Sequence, residues 1–184
     1  LRGSSNWLRN TVVHEFTHSI SLGAARKMSQ RVPGLFFQTV AYEEESREDV
    51  LYGYPNVILS QAFAGSVIPG WFAEGTAQHG SDRFGFDRYD AHRDMILRTR
   101  ALNDNLLSFE EMSHFGKSSI GSESVYNQGY ALVGYIIDKY GEEKLEEIMD
   151  SMTRFFATDF SSGIKRALGV DGKTLHTQWK QTMT

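Results

Sequence analysis

The sequence predicts a mainly α-helical domain with a short strand or hairpin in the 35–58 region. Three observations carry this expectation. Apolar and charged residues follow helical spacing over 7–28, 87–102, 123–140 and most of the tail. Glycine, proline and capping residues punctuate those stretches. Leu35 to Tyr42 instead reads as strand-like or irregular.

Length and charge bound the function classes. The 184 residues fit one domain, 1–184, large enough to bury a core without staples. Because the chain begins at Leu1, the expectation is a fragment or processed form of a longer protein, with other domains of the parent chain as partners. Nineteen Lys and Arg against 23 Asp and Glu give a net charge of −4 with no basic stripe, so no nucleic-acid partner is expected. No apolar run approaches a membrane span, and no signal-peptide pattern opens the chain. Without cysteine there are no disulfides or thiolate metal sites, and histidine and carboxylate remain as candidate ligands.

The first helix is expected from Trp7 to about Met28, capped by Ser4, Ser5 or Asn6, weakening at Gly23 and ended by Pro33-Gly34. It contains His14-Glu15-Phe16-Thr17-His18. Histidines four apart share one helix face, roughly 6 Å apart along the axis, so both imidazoles can reach one cation. Zinc suits such a pair, taking imidazole nitrogen at about 2.0–2.1 Å with a position left open. Glu15 lies beside His14 around the helix and can act as general base on a water without being a ligand. The same pentapeptide can arise by chance on a solvated face. Here Trp7, Leu8, Val12, Val13, Phe16 and Ile20 surround it, and a buried histidine pair without a metal would strand polar atoms.

The acidic run Glu43-Glu44-Glu45 with Glu48 and Asp49 reads as a solvated face rather than a source of ligands. Gly53 to Asn56 is turn chemistry, and an apolar segment, Val57 to Ile68, ends at Pro69-Gly70. A helix then starts through Trp71 and Phe72, followed by Ala73, Glu74, Gly75 and Ala77. A lone carboxylate among such neighbours is a candidate third ligand, since small residues let a helix approach another closely. The alternative is a local cap or ion pair. Gln78 and His79, one turn on, are both candidates to hold a ligand from behind.

Asp87 to Leu102 reads as an amphipathic helix whose arginines, including Arg93, and His92 face solvent. Ser108-Phe109-Glu110-Glu111 matches a capping box, and Gly116 to Ser124 reads as a loop near the cleft. From about Glu123 to Tyr140 a helix carries Tyr126-Asn127-Gln128-Gly129-Tyr130. A tyrosine there can extend its phenol into a cleft and donate to a developing oxyanion, or pack with a satisfied hydroxyl. In the tail, Leu145, Ile148, Met149, Phe155, Phe156, Ile164, Leu168, Leu175 and Trp179 read as core, and His176 as structural.

His14-Glu15-x-x-His18 followed by Trp71-Phe72-Ala73-Glu74-Gly75-x-Ala77 resembles the gluzincin metallopeptidases, most closely the bacterial peptidase MA-like domains and more distantly the aminopeptidase N and thermolysin families. The 55 residues between His18 and Glu74 exceed the short gap of the last two. The metzincin pattern does not apply, because it wants glycine at position 21 and histidine at position 24, where this chain has Ser21 and Ala24. The segment at Tyr126 resembles the Tyr-x-Lys-Gly of aminopeptidase N-like enzymes, with Gln128 in place of lysine, which makes Tyr126 the oxyanion candidate and Tyr130 its substitute.

The resemblance implies a zincin-like helical catalytic domain with one Zn2+ per chain on His14, His18 and Glu74. It implies Glu15 as general base, Tyr126 as oxyanion stabiliser, a peptide or protein substrate, and an extracytoplasmic bacterial location. The rivals are a non-catalytic zinc-stabilised module that presents 43–49 to a protein partner, and a metal-free helical interaction module.

Overall fold

Aromatic and aliphatic side chains from six helices join one buried cluster that includes Trp71 and Phe72, and this cluster organises the fold. The computed structural model describes residues 7–27, 36–42, 55–62, 68–85, 91–115, 119–154, 156–157 and 159–183. The helices are α1 (Trp7–Ala24), α2 (Gly70–Arg83), α3 (Ala91–Leu102), α4 (Ser119–Tyr140), α5 (Glu143–Met152), α6 (Phe160–Leu168) and α7 (Gly172–Gln181), with a 3₁₀ turn at Glu111–Ser113. Strands β1 (Phe36–Tyr42) and β2 (Pro55–Ala62) form an antiparallel hairpin with Phe36 opposite Ala62 and Ala41 opposite Val57. The fold is therefore mainly α, with the expected hairpin running on to Ala62. Pro55 joins the strand rather than the preceding turn, at the first position, where its missing N–H is tolerated. Among the described residues no helix is long and apolar enough to cross a membrane.

Trp71, Phe72, Leu132, Ile136, Ile148, Met152, Ile164 and Leu175 are completely buried. Burying each such side chain stabilises the fold by about 1.5–3 kcal/mol relative to exposure. Phe160 packs against both Trp71 and Phe72, with ring centroids 5.9 and 4.9 Å away, which joins α6 to the start of α2. Close backbone approach seats α2. A Cβ on Gly75 would lie 2.5 Å from the carbonyl oxygen of Gly129 on α4, and one on Gly80 would lie 2.8 Å from Thr17 Oγ1 on α1. Thus α2 is wedged between α4 and α1 at two glycines five residues apart.

Local signals behave as their chemistry requires. Ser108 N–H donates to Glu111 Oε2 at 2.8 Å and Glu111 N–H to Ser108 Oγ at 3.3 Å, a reciprocal capping box. Asp159 and Asp171 cap α6 and α7, and Gly169, with φ of 78°, ends α6. His176 is structural as expected: its Nε2–H donates to the Leu107 carbonyl at 3.0 Å.

Four expectations are corrected. Residues 119–124 belong to α4 instead of a loop, because helix extension adds a backbone hydrogen bond per residue and outweighs one glycine; 116–118 lie outside the described residues. Arg93 is only 6% exposed, its stem covered where α3 meets α4. Phe156 is 89% exposed, and Ala157 enters the core instead. The apolar residues expected to enclose the histidines, Leu8, Val12, Phe16 and Ile20, are exposed, because their four-residue spacing lines them along the outer face of α1. Phe155, the run at 43–49, the side chain of His92 and the cap at 4–6 lie outside what is described.

Two measurements check this packing. Gly75→Ala should cost about 1–3 kcal/mol through overpacking, whereas Gly134→Ala, which meets nothing within 4 Å, should gain about 0.5–1 kcal/mol. Equal denaturation midpoints for the two variants would remove the wedge.

Burial holds the His176 imidazole below its ordinary value of 6.5, so the fold prefers the neutral ring. The associated stability is complete above pH 6.5 and is lost as pH falls through the lowered folded value. Melting temperatures at neutral and mildly acidic pH should therefore fall further for wild type than for His176→Gln.

Candidate metal centre and catalytic cleft

Helical spacing places His14 and His18 on the face of α1 that meets α2, with ring centroids 4.6 Å apart and nearly perpendicular. From α2, Glu74 reaches back between them. His14 Nε2 lies 3.0 Å from Glu74 Oε2, His18 Nε2 lies 3.3 Å from the same oxygen, and the two Nε2 atoms are 3.1 Å apart. The three side chains are half-buried.

The triangle has the composition and size of a metal-ligand set. Ligands at about 2.0–2.1 Å from one tetrahedral zinc are separated by about 3.3–3.4 Å, close to the observed edges. Two nitrogens and a carboxylate oxygen facing one another also need a proton or cation between them. His18 Nδ1 is buried with no hydrogen-bond partner, so His18 is held chiefly from its Nε2 side. Among the described residues these three form the one group of histidine and carboxylate donors close enough to share an ion.

Electrostatics follow from that contact. Burial pushes the Glu74 carboxyl up, but hydrogen bonds to His14 and His18 outweigh it and hold the group at about 2. The Glu74 carboxylate raises His18 above the ordinary imidazole value, against the effect of burial. Tyr126 is pushed up to about 12, first by burial and then by Glu74, which accepts its hydrogen bond, with Glu123 and Glu15 adding negative charge. Its phenol therefore keeps its proton across the physiological range.

A cavity of ≈ 260 Å³ opens beside the triangle, lined by Asn10, Thr11, His14, Glu15, Gln78, Glu123 and Tyr126. Five of the residues singled out from sequence, His14, Glu15, His18, Glu74 and Tyr126, thus gather at one place. Tyr130 does not join them, because its hydroxyl donates to Asp82 Oδ2 at 2.9 Å. The two candidates after Glu74 diverge: Gln78 faces this cavity, while His79 lines a separate one with Thr17, Ile20 and Ile137.

Asn10, Thr11 and Glu123 are missed by sequence reasoning. Asn10 stands four residues before His14 and Glu123 three before Tyr126, each on the face of a residue already singled out. The periodic signal was present, but a polar residue one turn from a candidate is not distinctive until the cavity is known.

The profile of the peptidase MA superfamily matches residues 39–184, a span that includes Glu74, Glu123 and Tyr126 and begins after His14 and His18. No curated protein and no solved structure matches the chain significantly. With most of its length matched and its helices arranged around this cleft, the chain belongs to the peptidase MA superfamily and is a peptidase-like domain.

Proposed function

We propose that this domain hydrolyses peptide bonds with one zinc ion held by His14, His18 and Glu74. The observation that carries the reading is the convergence of two Nε2 atoms and one carboxylate oxygen, 3.0–3.3 Å apart, at the edge of a cavity walled by Glu15 and Tyr126. When bound, zinc supplies Lewis-acid polarisation of the substrate carbonyl and acidifies a water molecule.

The remaining work falls to side chains. His14 and His18 present neutral Nε2 lone pairs, and the Glu74 carboxylate offsets part of the ion's charge. Glu15, exposed on the cavity wall, accepts a proton from the attacking water and returns it to the departing amine nitrogen. Tyr126 exchanges its Glu74 acceptor for the carbonyl oxygen as negative charge develops there, and its high pKa keeps the contact a donated hydrogen bond. Both groups line one cavity, where they can act on the same carbonyl group of a peptide or protein substrate.

Elemental analysis should find about one zinc per wild-type chain and clearly less in Glu74→Ala, as expected when one of three ligands is lost. A wild type that takes up no zinc after incubation with it would end this reading and favour the metal-free module.

Glu15→Gln should keep its zinc and lose about 10²–10⁴-fold in peptide hydrolysis. Undiminished hydrolysis would rule out Glu15 as the base. Bound zinc with no wild-type hydrolysis across a broad peptide panel would favour the non-catalytic module.

A further inference from the structure

The cavity beside the metal triangle is lined by two carboxylates together with amide, hydroxyl and imidazole side chains. Glu15 and Glu123 contribute carboxylates from α1 and α4. Gln78 is only 5% exposed, yet its Oε1 is buried with no hydrogen-bond partner, and Asn10 Oδ1 is in the same condition. A buried carbonyl oxygen left unpaired is unfavourable, so two on residues of one cavity wall mark a place where a donor is missing. Glu123 carries one long ion pair and is otherwise half exposed, which leaves part of its carboxylate open. Its nearest charged partner among the described residues is Arg93, whose Nε lies 3.9 Å from Glu123 Oε1, beyond hydrogen-bond length. Among the described residues, no lysine or arginine lines the cavity.

We propose that this cavity receives a cationic N–H donor on the substrate, an ammonium or guanidinium group next to the scissile bond, with Glu123 as its counter-charge and the Gln78 and Asn10 carbonyls as acceptors. A volume of ≈ 260 Å³ accommodates one side chain or one chain terminus instead of an extended peptide. Glu15 stands on the same wall, so a cation seated there lies within one residue of the attacked carbonyl. Glu123 is then a specificity residue: it selects the substrate and takes no part in proton transfer. The inference rests on the peptidase reading for the identity of the ligand as a peptide, but the acceptor cavity can be probed without hydrolysis.

The test titrates the whole domain with three small amides at neutral pH, followed by NMR shifts. Norleucine amide carries only an α-ammonium, Nα-acetyl-lysine amide only a side-chain ammonium, and Nα-acetyl-norleucine amide no charge. At least one cationic probe should bind wild type about fivefold more tightly than the neutral one, and Glu123→Gln should abolish that margin. Preference for the first assigns the cavity to a free amino terminus, and preference for the second to a basic side chain. Equal binding of all three, including none, overturns the proposal, as does an unchanged margin in Glu123→Gln. Cleavage of matched peptides separates the two readings. Cation-selective binding without hydrolysis of any peptide would sink the peptidase reading alone. Hydrolysis of cationic and neutral peptides with equal kcat/KM would sink the cation site alone.

Discussion

The seating of α2 between two neighbours is the constraint on which the site depends. Glu74 can meet His14 and His18 only if the backbone of α2 comes within contact distance of α1. Gly80 permits this, since a Cβ there would lie 2.8 Å from Thr17 Oγ1. One turn before it, Gly75 allows the opposite side of α2 to press on Gly129 of α4. Trp71 and Phe72, both fully buried, anchor the start of the helix in the core. With both sides and one end fixed, α2 cannot rotate to turn Glu74 toward solvent without breaking one of these contacts. The glycines around Glu74 therefore set where the carboxylate points, and the aromatic pair before it makes that direction rigid.

Much of this was readable from the chain because the strongest signals are local. A pair of histidines at helical spacing shares a face whatever the tertiary fold, and a capping box such as Ser108 with Glu111 closes on itself. Glu74 was legible for a different reason, its setting among small and aromatic residues. The contact that Gly75 serves was less so: small residues suggested approach to the helix bearing the histidines, whereas Gly75 meets α4 and Gly80 meets α1. Arg93, Phe156 and the outward stripe of α1 were misread for a common reason. Polarity alone does not say which face of an element a neighbour covers. Choosing Tyr126 over Tyr130 likewise needed tertiary information, because both lie on α4 and only the Asp82 contact of Tyr130 separates them.

The charge pattern of the site explains why these groups are grouped and why each keeps its protonation. Glu74 stays ionised at about 2 despite burial, because the two imidazoles compensate it. Burial first, and that retained charge second, push Tyr126 up to about 12, so the charge kept on one group helps keep the proton on the next. A carboxylate kept charged beside a phenol kept neutral gives an acceptor and a donor in contact at the edge of the cavity. On the proposed reading the arrangement is electrostatic preorganisation by proximity, built from residues of α1, α2 and α4.

The attachment of α1 follows from the same geometry. Its apolar residues Leu8, Val12, Phe16 and Ile20 point outward, so they contribute little to holding it against α2. Among the contacts that hold it are its packing along α2 and against α5, the Thr17–Gly80 contact, the buried Ser21 and Ala25 near its end, and the hydrogen bond from Lys27 Nζ to the Ala157 carbonyl at 2.5 Å. Two of the three proposed ligands lie on this helix and the third on the firmly seated α2. On the proposed reading, an ion bound across them would tie α1 to α2. Metal affinity would then include the free energy of seating α1, and the seating of α1 would include the free energy of the metal.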